Sequence, residues 1–222
     1  MLTKITDLFL PPLCLICQLE APSKLSVCVD CWRSLPFYSN SGSDHSAFYY
    51  HAPIDFFITQ LKFHEQVLYA HWLGKWFIET YQGPLPQAIL PVPLHFTRLR
   101  ERGFNQALQI ARPIARHFKR PLLIDVVFRQ KNTRAQTELS PKERRKNVRN
   151  AFVLRDSIPY EHIAIFDDVV TTGNTVEALK ACLGDIKIDV WSVARVDFVI
   201  HASGLVIPAP SIVIPAEAGI HS

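Results

Sequence analysis

The run Ile163-Ala164-Ile165-Phe166-Asp167-Asp168-Val169-Val170-Thr171-Thr172-Gly173-Asn174-Thr175 changes character twice. Its first four residues are apolar throughout, as in a strand covered on both faces. Two adjacent carboxylates, Asp167 and Asp168, then break the run and are expected to stand just past the strand end. Thr171 to Thr175 bring hydroxyls, a glycine and the start of a helical pattern. Open α/β sheets bind ligands at the carboxyl ends of their strands. A glycine there lets the backbone turn so that several N–H groups converge. With the threonine hydroxyls and a helix N-terminus they make a phosphate cradle. Glycine is scarce, 8 of 222 residues, so its placement here carries weight. Two carboxylates beside a phosphate repel it unless they accept hydrogen bonds from sugar hydroxyls or act through a bound Mg²⁺. The combination implies a ribose phosphate. An acidic capped turn of no function has the same outline, and the Gly-Lys-Thr ending of a Walker loop is missing.

The flanks continue the alternation. Downstream, Val176, Leu179 and Leu183 share a helical face, Gly184 stands at a C-cap position, and Val190 to Val196 reads as a strand. Upstream, Ala88 to Pro93 is a short apolar run. Asn105 to Phe118 is helical, with Leu108, Ala111, Ala115 and Phe118 on one face. Pro113 is expected to kink or interrupt it. Leu122 to Phe128 and Ala151 to Leu154 read as strands, with the aperiodic polar segment Arg129 to Asn150 as a long loop between them. Ala47 to Ala52 reads as a strand. Asp55 to Phe63 and Glu65 to Tyr81 read as helices, the second striped by Leu68, Trp72, Trp76 and Ile78. Strands alternating with helices predict an α/β fold with a mainly parallel sheet flanked by helices.

The chain carries 24 basic and 20 acidic residues, a net of +4, with 48% hydrophobic residues. That composition is globular and excludes a disordered or coiled-coil chain. The charge is unevenly spread. Seven basic residues and one acid lie between Arg98 and Arg120, and eight and two between Arg129 and Arg149. Each segment is therefore +6, on a body of −8. Such clustering points to a phosphate-rich small molecule or a nucleic-acid backbone, although a solvated basic face reads the same way.

Four of the five cysteines fall as Cys14-x2-Cys17 and Cys28-x2-Cys31. Two residues between thiolates let a tight turn aim both sulfurs at one point. Two such knuckles complete a tetrahedral site suited to Zn²⁺. Disulfides are unfavourable in a reducing cytoplasm, and a thioredoxin-like pair lacks its preceding βαβ pattern. An iron–sulfur site is the remaining chemical alternative. Four thiolates leave no open position, so the metal is expected to be structural, stabilising a segment too short for its own core. Trp32 reads as packing and Cys182 as a small buried hydrophobe on a helix.

The stretch Ile165 to Thr175 resembles the loop that binds phosphoribosyl pyrophosphate (PRPP) in type I phosphoribosyltransferases. The wider arrangement is similar to the ComF family of competence-associated, phosphoribosyltransferase-like proteins. Its features appear in order: the four-cysteine N-terminus, Leu61-Lys62-Phe63, Pro91-Val92-Pro93-Leu94, Arg102-Gly103-Phe104-Asn105-Gln106-Ala107, Gln136 to Asn147, and the PRPP loop. The resemblance covers roughly residues 10 to 197. It implies a type I phosphoribosyltransferase fold, PRPP or a nucleotide bound with Mg²⁺, and a role in DNA uptake or natural transformation. Any transfer of the phosphoribosyl group would release pyrophosphate. By the same resemblance Asp167 and Asp168 would hold the ribose hydroxyls, and Thr171, Thr172, Gly173, Asn174 and Thr175 would wrap the 5′-phosphate. Pro93 and Leu94 would lie in the loop that contacts pyrophosphate. Arg134, Gln136, Arg144, Arg145 and Asn147 would belong to a loop that closes over the site. Arg102 and Arg144 are the candidate arginines for stabilising the leaving group. The zinc module and residues 47 to 85 would stand where the family reads its acceptor, and they name none.

These readings divide the chain into a zinc-binding module (1–44), a phosphoribosyltransferase-like domain (45–200) and a C-terminal extension (201–222) expected to be disordered. The extension holds the near-repeat Val206-Ile-Pro-Ala-Pro210 and Val213-Ile-Pro-Ala-Glu217. The first residues look like a secretory signal, but Asp7 and Pro11-Pro12 interrupt them, and no apolar run is long enough to span a membrane. A cytoplasmic protein without membrane insertion is expected. The rival expectation is a single-stranded DNA-binding accessory module that works with competence-machinery proteins and keeps a non-catalytic phosphoribosyl pocket.

Overall fold

The computed structural model describes residues 12–21, 23–40, 42–130, 151–196, 198–200 and 206–208. In chain order its elements are α1 (Val29–Arg33), β1 (His45–Tyr49), α2 (Ile54–Phe63), α3 (Leu68–Thr80), β2 (Ala88–Pro91), α4 (Phe96–Arg102), α5 (Gln106–Phe118), β3 (Val127–Arg129), β4 (Phe152–Leu154), β5 (His162–Val170), α6 (Asn174–Leu183), β6 (Lys187–Arg195), β7 (Phe198–Ile200) and β8 (Val206–Pro208). Residues 131–150, which hold most of the expected closing loop, lie outside the described residues, as do 1–11 and most of the C-terminal extension.

Four strands form the central sheet in the order β1-β6-β5-β2, all parallel. Ile163 lies opposite Ile188 on β6 and Ala88 on β2. Helices α3 and α5 cover one face, where Trp76, Phe77, Phe166 and Trp191 are all buried. The other face packs Leu90, Ile163 and Ile165 against Leu179 and Leu183 of α6 and against Val127 and Phe152 of the β3–β4 pair. Each such large apolar side chain contributes about 1.5–3 kcal/mol on burial. This is the mainly parallel, helix-flanked α/β architecture that the alternation predicts, and it is consistent with the type I phosphoribosyltransferase fold that the resemblance implies.

Three local expectations are corrected. Leu122 to Phe128 is not one strand. Leu122 makes a single bridge to Ile89, Asp125 turns the chain at φ +63°, and only Val127–Arg129 pairs, antiparallel with β4 and outside the main sheet. Helix α5 runs continuously through Pro113. The buried face of α3 is Ala70, Leu73, Gly74, Trp76 and Phe77, while Leu68 is 65% exposed. Gly74 lets α5 approach closely on this face. A Cβ built on Gly74 would meet Pro113 Cγ at 2.5 Å and the Ile110 carbonyl oxygen at 2.8 Å.

The N-terminal segment packs into the same core as α2 and α3. Cys14, Ala21, Val27 and Leu35 are buried in it. Trp76 Nε1 donates to the Leu25 carbonyl at 3.1 Å. Trp32 packs edge-on against Phe37 and Phe48. Among the described residues, no helix is long and apolar enough to cross a membrane.

Candidate functional site

The acid pair lies within β5, not past its end. The strand continues through Val170, with Asp167 opposite Ser192, Val169 opposite Ala194 and Val170 opposite Arg195 on β6. What stops at Phe166 is the pairing with β2. The valines after the acids and the unbroken neighbour β6 keep the backbone extended, so β5 overhangs its other neighbour.

Asp168 is only 4% exposed. Its Oδ2 is ion-paired with Lys62 Nζ from the last turn of α2. Its Oδ1 accepts from Gln106 Nε2, on the first residue of α5, at 3.5 Å. Asp167 is the more accessible acid, and its Oδ1 accepts from the Asp168 N–H at 2.9 Å. Burial, the charge of Asp168 and a hydrogen bond between the two carboxyls hold Asp167 well above the usual carboxylate range, against the pull of Lys62.

The turn expected to contact pyrophosphate sits beside this pair. The Val92 N–H donates to the Phe166 carbonyl at 2.8 Å, which holds the chain just after β2 against β5, with Pro93 and Leu94 next in sequence. Asn105 fixes that turn. Its Nδ2 donates to the Val92 carbonyl at 3.0 Å, while its Oδ1 caps α5 by accepting from Leu108 N–H. The motif Arg102 to Ala107 thus resolves into separate tasks. Arg102 ends α4, Gly103 turns the chain at φ +72°, Asn105 caps, Gln106 reaches Asp168, and Ala107 enters the core.

Two arginines bring charge to the pair. Burial lowers the pKa of Arg102 while Asp168 attracts its charge, and its guanidinium lies 5.3 Å from the centre of the Phe63 ring. Arg129 is likewise lowered by burial, interacts with Asp167 and Arg98, and lies 5.5 Å over Phe152. A parallel bridge between His95 and Arg129 brings β3 to the turn after β2. Arg144 lies outside the described residues. Beyond β5, Thr171 and Thr172 are exposed and Gly173 takes φ +73°. Helix α6 then starts at Asn174 with no side-chain cap, and Thr175 is in its first turn. Lys62 and Gln106 reach Asp168, a role that the motif pattern alone does not assign to them. The available signal was a charge in register with Ile54 and Ile58, on the buried stripe of α2.

The four cysteine sulfurs lie within 4.8 Å of one another. Cys14 Sγ accepts from Ile16 N–H and Cys28 N–H, both at 3.4 Å, and Cys28 Sγ accepts from Cys31 N–H at 3.5 Å. Burial pushes the Cys14 thiol up, but the backbone donors of Cys17, Cys28 and Ile16 outweigh it and bring it down to about 6. Burial and the neighbouring thiols push Cys31 up. Four thiols that cannot all ionise side by side are relieved by a divalent soft cation, which deprotonates them outright. Cys182, on α6, is half-buried and remote from this cluster in sequence. A separate cavity of about 290 Å³, lined by Asn40, Asp44, His45, Thr80 and Tyr81 among others, involves none of the sequence-predicted site residues.

Residues 5–42 match the double zinc ribbon domain family. That span holds the four cysteines and no histidine, which makes one structural zinc site. Competence protein F of Haemophilus influenzae is 36% identical over 160 residues, 66% of this chain and 70% of that protein. DNA utilization protein YhgH of Salmonella typhi is 31% identical over 195 residues, 82% of this chain and 84% of that protein. DNA utilization protein YhgH of Escherichia coli K12 is 33% identical over 156 residues, 66% and 69%. With identity at this level over most of the relatives' length, the chain belongs to the competence protein F (ComF) family.

Proposed function

We propose that this protein binds PRPP or a nucleotide at the carboxyl ends of β2 and β5, in the service of DNA uptake. The observation that carries the reading is an acid pair on an overhanging strand, followed at once by the left-handed Gly173 and an uncapped helix N-terminus. Asp167 accepts from the ribose hydroxyls. Thr171 to Thr175 wrap the 5′-phosphate with hydroxyls and first-turn N–H groups. The turn at Pro93 and Leu94, with Arg98, Arg102 and Arg129, faces the pyrophosphate. If the phosphoribosyl group is transferred, these arginines stabilise the charge that develops on departing pyrophosphate. With Lys62 on one oxygen and Gln106 on the other, Asp168 does not fit a divalent cation. The tie to DNA rests on the names of the relatives, and the cytoplasm is the compartment in which four thiols stay reduced for zinc.

A second reading has its own observation. Phe63 and Phe96 are 66% and 64% exposed, and Arg102 and Arg100 lie over their rings. Exposed rings interleaved with arginines stack the bases of single-stranded DNA. Calorimetry separates the two. PRPP is expected to bind the wild type about ten- to a hundredfold more tightly than Asp167→Asn, the loss of one or two hydrogen bonds to the ribose. Equal affinity removes the first reading. An oligonucleotide whose affinity falls steeply with salt supports the second.

A further inference from the structure

We propose that Lys62 is the resident cation of the acid pair. Its ammonium holds Asp168 as an internal acceptor, leaves Asp167 to meet the ligand, and occupies the place on Asp168 that a divalent metal would take. The ligand half of this statement rests on the phosphoribosyl reading above; the occupancy of Asp168 does not.

Three observations converge. Ile54, Ile58 and Lys62 recur at helical spacing on α2, so the buried stripe of the helix itself delivers the ammonium inward. The Lys62 side chain is 19% exposed and that of Asp168 6%. Charges this deep persist only in pairs, and each answers the other. The second Asp168 oxygen is taken by Gln106, which is 4% exposed and arrives from a different helix. Gln106 Oε1 is itself buried without a partner, beside the pair, where it offers a second acceptor to a ligand hydroxyl.

The chemistry follows from charge. Two adjacent carboxylates would repel an incoming phosphate, and Lys62 cancels one of them permanently. A divalent cation would have to displace a tethered ammonium already in contact, and Mg²⁺ sheds its own water reluctantly. The site is therefore poised for a sugar phosphate before any metal arrives.

The test is Mn²⁺ titration of the full-length, zinc-loaded protein, followed by the electron paramagnetic resonance of free Mn²⁺. The wild type is expected to take up no more Mn²⁺ than the double variant Lys62→Met/Asp168→Asn. Lys62→Met, which keeps the aliphatic stem without the charge, should gain a site at least about tenfold tighter. Lys62→Arg should not gain it. Asp168-dependent Mn²⁺ uptake by the wild type, or no gain in folded Lys62→Met, overturns the proposal. Should Lys62→Met lose its circular dichroism, the wild type against the double variant still decides. In a parallel arm, ribose 5-phosphate without added divalent metal is expected to bind the wild type. If it does not, the phosphoribosyl reading fails, while the Mn²⁺ comparison judges Lys62 independently.

Discussion

His45 stands on the edge strand β1 with its imidazole edge-on to Phe77 and Tyr81, 5.1 and 5.0 Å from their ring centres, and Nε2 3.1 Å from Thr80 Oγ1. Burial pushes its pKa down to about 4. In the unfolded chain a histidine titrates near 6.5. As pH falls through that value the unfolded state takes up the proton first, so it binds more protons and stability drops until about pH 4. The contribution lost is on the order of 3 kcal/mol. Zinc thiolates titrate in the same range, so the informative quantity is a difference. The stability advantage of the wild type over His45→Gln, from urea midpoints, should shrink steadily between pH 7 and 4.5. A constant difference would mean that His45 is protonated in the native state. Lys62 shows how residues of this kind escape a sequence reading. Leu61-Lys62-Phe63 looks like an ordinary helix end, and only Ile54 and Ile58 one and two turns back mark position 62 as inward-facing. Its partner is 106 positions away in sequence, on a strand whose neighbour had to be known first.

Helices α3 and α5 meet where Gly74 faces Pro113. A proline within a helix removes one backbone hydrogen bond and normally disrupts it. Here its ring fills the notch that a missing Cβ leaves on the facing helix, so the packing compensates for the lost bond. Gly74→Ala would gain about 1 kcal/mol of helix propensity and lose more to the 2.5 Å contact. We expect a net loss of roughly 1–2 kcal/mol, read from denaturant unfolding, because overpacking a tight core costs about 1–3 kcal/mol. A stabilised Gly74→Ala would show that the helices can separate freely. The same contact explains a misreading. The stripe Leu68, Trp72, Trp76, Ile78 follows the largest side chains, whereas the buried face combines Leu73, Trp76 and Phe77 with Ala70 and Gly74, because Gly74 is where the facing helix comes closest. Elements whose burial is uniform were legible: β2, β5, β6 and α6 lie where the apolar runs and Gly184 place them. The acid pair and its glycine turn were legible as a motif. The extension of β5 through the acids was not, since it depends on β6 running alongside.

Among the described residues, the zinc segment shares one core with α2, α3, α5 and the sheet face that they cover. Cys14 is fully buried in the cluster that holds Phe57, Leu61, Trp76 and Phe166. Removing zinc is therefore expected to lower the melting temperature of the entire protein, on the order of 10 °C for a loss of a few kcal/mol in a chain of this size. Calorimetry with and without a chelator should show one transition that moves. Two transitions, with only the lower one sensitive to zinc, would mark the segment as an independent unit. Because α2 belongs to that cluster and carries Lys62, the same chelation should loosen the acid pair. The overhang of β5 has a further consequence, of size. Beyond Phe166 the described strands leave β5 without a neighbour on the β2 side. The gap that one absent strand leaves is about 4.8 Å wide. A sugar ring entering edge-on, or a single extended backbone, fits that width, and a duplex, whose grooves alone are wider, does not. A ligand that comes alongside β5 beyond Phe166 is therefore expected to be no thicker than about one strand.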